Sequence, residues 1–270
     1  MKFSVLMSLY FKERAEYLEL CLNSLYEQTV TPDDIVIVFD GPVGECLELV
    51  ISKWQEKLPI NIVRLAENVG LGKALNIGIQ HCKHNLIARM DTDDICEKYR
   101  FKIQLDRFFE NKNLSLLGGY VTEFDGETTA SKKVPLDFYT IKKVALYRNP
   151  FNHMSVMFKR DIIEAVGGYR DHHFMEDYNL WIRLIAKDYI CENLDISLVK
   201  ARVGQDMVKR RLGLRYVRSE FLLMRHKIKY LNQPAFNAFN VCFVRSIARL
   251  LPPYFVGKIY DYLRGGRTYA

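Results

Sequence analysis

An α/β domain built on a mostly parallel, doubly wound sheet flanked by helices is the fold expected of this chain, and three observations carry that expectation. Short apolar runs that read as buried strands alternate with helical patterns through residues 3–110. The runs are unbroken, so helices are expected over both faces of each strand, as in parallel sheets. Tyr10, Asp40 and the acidic cluster at residues 91–94 each follow such a run, at the edge where open α/β sheets bind ligands.

The elements follow in order. Residues 3–9 predict a strand, and 14–27 a helix with Leu18, Leu22 and Leu25 on one stripe. Residues 35–39 predict a buried strand, a continuous apolar run ended by Asp40-Gly41-Pro42, a turn signal. Residues 45–57 predict a helix, 61–65 a strand, and 71–83 a helix introduced by Asn68-Val69-Gly70. Leu86–Met90 predicts the next strand, and residues 97–110 a helix. Beyond residue 114 the elements shorten: strands at 114–117, 121–124 and 155–158, a helix at 137–146, a tight turn at Gly167-Gly168-Tyr169, and an amphipathic helix at 176–187 with Leu180, Ile182, Leu184 and Ile185 facing inward. From Asp206 onward the pattern is helical and basic, with no internal repeat.

Composition narrows the function classes. The chain has 270 residues, enough for one large domain or a domain with an appendage. Its six cysteines are scattered without a C-x-x-C pair, as expected of reduced thiols in a cytoplasm and not of a disulfide framework or a zinc site. Met1-Lys2 runs straight into the first strand pattern, so no signal peptide is expected. The net charge of +7 divides unevenly: residues 209–270 hold 13 basic against two acidic side chains, while residues 1–208 are slightly acidic. A basic tail of this kind suits an anionic partner: nucleic acid, a phosphorylated substrate or a membrane surface.

The most informative segment is Arg89-Met90-Asp91-Thr92-Asp93-Asp94. Three carboxylates in four residues repel one another unless a cation neutralises them. In an extended segment Asp91 and Asp93 point to one side, so both can face one divalent ion, and a small set of hard oxygen ligands suits Mg²⁺ or Mn²⁺. The alternative is an acidic turn capping the following helix. Asp40 is placed to accept hydrogen bonds from a base or a ribose, or to serve only as a turn residue. The Asn68–Asn76 segment lacks the spacing of a phosphate P-loop, but its glycines bring backbone to a helix N-terminus, which favours anions. Lys73 there is either a nucleotide contact or a plain surface lysine. Glu176-Asp177 at the start of a helix suits a general base, and equally suits helix capping.

Several segments, in order, resemble a known family: Ser4–Tyr10, Ser24–Thr29, Val38–Gly41, Asn68–Asn76, Ala88–Asp94, Gly167–Tyr169 and Glu176-Asp177. Together they are similar to GT-A-fold glycosyltransferases of family 2, in particular bacterial enzymes that build O-antigen and exopolysaccharide repeat units. The resemblance implies a Rossmann-like GT-A domain over 1–205, with a nucleotide-binding half at 1–113 and an acceptor-binding half at 114–205, followed by a basic amphipathic helical region at 206–270. It implies an inverting, metal-dependent transfer of one sugar, galactose or another hexose, from a UDP-sugar to an undecaprenyl-pyrophosphate-linked saccharide, with Mn²⁺ or Mg²⁺ as cofactor. It assigns uracil recognition to Asp40 with Tyr10 stacking beside it, diphosphate contact to Lys73, metal binding to Asp93, and both metal and ribose to Asp91. Glu176-Asp177 resembles the family's catalytic pair, with Asp177 as the general base. Pro42 stands where the family often has Ser or Thr, which puts that loop's contacts in doubt. His153 is a further metal or diphosphate ligand, or merely orients a loop, and Arg202, Arg210 and Arg211 are candidate phosphate partners.

Processive relatives carry a Q-x-x-R-W motif after the catalytic pair; here Gln205 is followed by Asp-Met-Val-Lys, so single-sugar addition is expected. The segment 236–256 is interrupted by Arg245, Arg249, Pro252 and Pro253, so no membrane span is expected. The tail is expected to lie against an anionic membrane surface, placing the protein in the cytoplasm, peripheral on the inner face of the plasma membrane, or else to pack on the catalytic body. No nucleic-acid partner is expected, because no aromatic-interleaved basic motif occurs. The competing functions are a sugar nucleotidyltransferase and a nucleotide-sugar-binding module without catalysis.

Overall fold

The structure is a computed structural model and describes residues 1–125, 129–204 and 212–250. Its first half is a regular β-α alternation: β1 (Ser4–Leu9), α1 (Ala15–Tyr26), β2 (Asp34–Phe39), α2 (Glu45–Gln55), β3 (Ile60–Arg64), α3 (Leu71–His81) and β4 (Leu86–Arg89). β3, β2, β1 and β4 lie side by side, all parallel, with Leu9 opposite Phe39 and Leu6 opposite Arg89. The expectation of strands covered on both faces holds residue by residue. Val5, Met7 and Leu9 of β1 and Ile35, Ile37 and Phe39 of β2 pack with α1 and α2 on one side. Leu6, Val36 and Val38 pack with α3 on the other. Alternation within an unbroken apolar run therefore fills two cores at once.

The second half turns the sheet mixed. β5 (Ile95–Cys96), α4 (Arg100–Glu110), β6 (Leu114–Phe124), β7 (Thr129–Lys132), α5 (Phe138–Val144), a 3₁₀ turn (His153–Ser155), β8 (Met157–Lys159), α6 (Arg160–Ala165), α7 (Glu176–Ala186) and β9 (Ile190–Arg202) follow. β8 enters antiparallel between β4 and β6, and β9 runs parallel to β6. Two expectations change here. The strands foreseen at 114–117 and 121–124 are one strand, because the register with β9 shifts around Gly119 and Tyr120 and lets the chain bend without leaving the sheet. The helix foreseen from 97 begins at Arg100, because Ile95 and Cys96 pair with Lys200 and Val199 of β9 first.

β9 has no simple alternation, since its irregular register moves side chains off a strict period of two. The pairing of β9 with β5 carries its end to Arg202, beside the acidic loop after β4.

Within the basic C-terminal region, residues 212–250 form a helical hairpin, α8 (Leu214–Leu231) and α9 (Ala235–Leu250), while the rest of the helical region expected at 206–270 lies outside the described residues. Asn232, in the left-handed conformation, ends α8. Tyr216 and Leu223 of α8 pack with Tyr178 and Ile182 of α7 and with Met175 just before it. Lys227 is buried, and Arg245 and Arg249 turn inward to the buried Glu220. Part of the basic charge thus faces the body, while Phe236, Phe239, Phe243 and Leu250 of α9 are exposed.

Candidate active site

Tyr10, Asp40 and the acidic loop follow β1, β2 and β4, so one sheet edge brings together three segments that are far apart in sequence. Asp40 is buried, and both its carboxylate oxygens hold the turn that opens α3: Oδ1 accepts from Val69 N at 2.7 Å and Oδ2 from Gly70 N at 3.1 Å. Gly41 is required beside it, with φ +86° and room for no Cβ, which would stand 2.8 Å from Asn68 N. Tyr10 is half-buried at the rim, its ring edge-on to Phe11. Lys73, in the first turn of α3, is exposed, and its amine stands 3.9 Å from the exposed Asp171.

The metal-ligand expectation for Asp91 and Asp93 meets a tighter arrangement than foreseen. Carboxylate oxygens of Asp91, Asp93 and Asp94 lie within 4.8 Å of one another. Burial, then Asp91 and Glu13, pushes Asp93 up to about 7, and burial with Asp91 and Asp93 raises Asp94 well above the usual carboxylate range. Asp94 Oδ1 accepts from Arg202 N at 2.7 Å, while its Oδ2 is buried with no hydrogen-bond partner. Two arginines stand under this loop. Arg89 is buried and ion-paired to Asp91, with its Nε and Nη1 unpartnered. Arg100, also buried, donates from Nη2 to Arg89 O at 2.7 Å. Arg202, a candidate phosphate partner, braces the loop: Nε donates to Asp93 O at 3.2 Å and the guanidinium lies over the Tyr17 ring.

Glu176 and Asp177 open α7, as foreseen, against the start of α3. A Cβ on Gly72 would sit 3.2 Å from Glu176 Cβ. Burial, then Asp177, pushes Glu176 up to about 7. Asp177 Oδ2 accepts from Asn149 Nδ2 at 2.6 Å. Tyr169, also buried, meets Glu176 at the same glycine, for a Cβ on Gly72 would stand 3.5 Å from Tyr169 Cβ. His153 is not gathered with the aspartates. Its Nε2 shares a 2.8 Å hydrogen bond with the Tyr169 hydroxyl, its ring lies edge-on to Trp181, and burial with Arg89 nearby holds it well below its ordinary value, hence neutral. Arg210 and Arg211 lie outside the described residues.

The sequence profile described as Glycosyl transferase family 2 matches residues 4–167. The chain belongs to glycosyl transferase family 2. It is 44% identical, over 98% of its length and 100% of the relative's, to the amylovoran biosynthesis glycosyltransferase AmsE of Erwinia amylovora. It is 39% identical, over 96% and 95%, to the UDP-Gal:alpha-D-GlcNAc-diphosphoundecaprenol beta-1,3-galactosyltransferase of Escherichia coli. In fold it is similar to the mannosyltransferase PcManGT of Pyrobaculum calidifontis, solved in complex with GDP-Man and Mn²⁺, at a TM-score of 0.66 and 17% identity over 97% of this chain and 80% of that one. The chain is a glycosyltransferase of GT-A fold.

Residues that sequence reasoning missed in this glycosyltransferase are Asp94, Arg89, Arg100 and Asn149. Arg89 and Asp94 stand inside the hexapeptide already singled out, so their residue types were the available signal. Nothing local marks Arg100 or Asn149, whose roles come from contacts with distant elements.

Proposed function

We propose that this glycosyltransferase moves one hexose, galactose first, from a UDP-sugar to a saccharide carried on a lipid pyrophosphate, non-processively and with inversion. The donor and acceptor classes come from the relative that transfers from UDP-Gal to GlcNAc-diphosphoundecaprenol. The single observation that carries the reading is the clustering of Asp91, Asp93 and Asp94 carboxylate oxygens within 4.8 Å of one another after β4, at the sheet edge that also carries Asp40, which supports departure of a nucleoside diphosphate with the help of a cation.

Residues 1–113 bind the nucleotide and 114–205 the acceptor. Asp40 holds the Val69–Gly70 turn and keeps lone pairs for uracil, with Tyr10 stacking beside it and Lys73 reaching the diphosphate. Asp177 takes the proton from the acceptor hydroxyl. The hydroxyl oxygen forms its bond to the anomeric carbon opposite the diphosphate, that carbon's bond to the diphosphate breaks, and UDP leaves with the electron pair. One displacement inverts the centre.

The residues present fit a divalent cation: clustered hard oxygens, one of them buried without a partner. Asp91 and Asp93, with Asp94 beside them, would hold Mn²⁺ or Mg²⁺, which when bound offsets charge gathering on the departing diphosphate. His153, hydrogen-bonded to Tyr169, orients that tyrosine in this reading.

The hairpin seats the protein on an anionic membrane surface, at the inner face of the plasma membrane where the UDP-sugar and the lipid carrier meet. Arg215, Arg218, Arg225 and Lys229 of α8 are exposed, as is the aromatic row of α9. No helix among the described residues is long and apolar enough to cross a membrane.

The test is product analysis with UDP-galactose and a GlcNAc-pyrophosphoryl-lipid acceptor. Release of UDP with a lengthened saccharide is expected. Pyrophosphate released from UTP and a sugar phosphate would make the protein a nucleotidyltransferase, and donor binding without any turnover would make it a binding module.

A further inference from the structure

Helix α5 ends at Val144, and the carbonyls just beyond it have no helical partners of their own. Three successive ones are held by side chains from three other helices and the α8–α9 turn. The Tyr178 hydroxyl of α7 donates to Ala145 O at 2.8 Å. Lys227 Nζ of α8 donates to Leu146 O at 3.1 Å, and Gln233 Nε2, in the turn between α8 and α9, donates to the same oxygen at 3.4 Å. Arg245 Nη1 of α9 donates to Tyr147 O at 3.3 Å, while its Nε donates to Glu220 Oε2 of α8 at 2.7 Å.

Lys227, Gln233 and Glu220 are all buried. Burying a lysine and an ion pair is costly, and apolar side chains would pack α8 on α7 as well. What apolar side chains lack is the ability to hold carbonyl oxygens at set positions. Two residues past this clamp stands Asn149. Its Oδ1 accepts from Phe151 N at 3.2 Å, which fixes the amide so that Nδ2 donates to Asp177 Oδ2 at 2.6 Å.

We propose that Asn149 is a positioning residue for Asp177, and that the α8–α9 hairpin sets Asn149 by clamping the carbonyls of residues 145–147. The inference rests on Asp177 being the base, and it gives the C-terminal region a role in turnover that does not depend on what the outer face of α9 touches. A carboxylate turned away from the acceptor hydroxyl by an ångström loses much of its effect, on the order of 10²-fold.

The experiment measures UDP release from UDP-galactose with the GlcNAc-pyrophosphoryl-lipid acceptor, together with UDP affinity in the presence of Mn²⁺ by calorimetry. Asn149→Ala is expected to lower kcat by about 10-fold to 10²-fold, with UDP affinity unchanged. Lys227→Met, which keeps the aliphatic stem and leaves Gln233 on Leu146 O, is expected to lower kcat by a smaller factor. The double variant is expected to match Asn149→Ala alone, because both act through one route. Asn149→Ser, whose hydroxyl is too short to span the gap to Asp177, takes the place of the alanine variant if that one folds poorly.

Wild-type kcat in the Asn149 variants overturns the positioning role, and losses that multiply in the double variant overturn the link to the hairpin. Asp177→Asn run alongside separates the two readings. If it retains turnover, the base assignment itself falls; if it collapses while Asn149→Ala does not, only the positioning inference falls.

Discussion

Arg89 and Asp91 form an ion pair at the mouth of β4 in which the arginine is 2% exposed and the aspartate 31%. The guanidinium stands beneath the acidic loop and offsets part of the repulsion among Asp91, Asp93 and Asp94, as their electrostatic coupling indicates. It acts as a resident counter-charge within the cluster.

Arg89→Met should therefore destabilise the protein by about 3 kcal/mol, the lower end for a broken buried pair because Asp91 is partly solvated. Added Mn²⁺ should raise the Tm of the variant more than that of the wild type, since the ion then supplies the missing charge. Equal Mn²⁺ shifts in thermal denaturation would mean that the arginine and the metal do not share this cluster.

Removing divalent cations with a chelator should abolish turnover, and Mn²⁺ or Mg²⁺ should restore it. Asp93→Ala should cost at least the ~10²-fold typical of losing one electrostatic stabiliser. Full activity in excess chelator sinks the metal assignment.

Asp177→Asn keeps the shape of the side chain and removes its basic site. Turnover should collapse while UDP affinity stays near that of the wild type, which places the loss in the chemical step. A variant that loses donor binding yet turns over normally at saturation would hand the role to Glu176.

Full-length protein should float with anionic vesicles at low salt and be released at high salt, each basic residue near the surface contributing roughly 1 kcal/mol. Replacing both Phe239 and Phe243 of α9 with Glu should weaken that binding further, because both rings are exposed on the outer face. No association with anionic vesicles at low salt would refute the membrane reading.

Lys227 supplies a pH test of the hairpin. Burial, then Arg245, pushes its amine down to about 7, whereas an unfolded lysine titrates near ~10.4. Between these values the unfolded chain carries a proton that the folded one has released, so this group's contribution makes stability rise with pH from about 7 to about 10. The difference in Tm between wild type and Lys227→Met should therefore shift in favour of the wild type as the pH goes from 7 to 9. A pH-independent difference would mean that Lys227 keeps its ordinary titration.

The parallel half of the fold and the identity of the acidic loop were legible in the sequence. Runs such as Ile35–Phe39 are apolar on both faces, and a strand of that kind can lie only inside a covered sheet. Three carboxylates within four residues repel one another, so the residue types alone singled out the Asp91–Asp94 loop. What only the tertiary structure decided was partnership across distance. Asp94 joins the loop through the end of β9, a strand whose irregular register erases its own pattern. Asn149 meets Asp177 across 28 residues of sequence, and Lys227 turns inward where its charge alone suggested solvent. Periodicity reports which face of an element is buried, but the partner of a buried polar group is set by packing, and packing depends on every element at once.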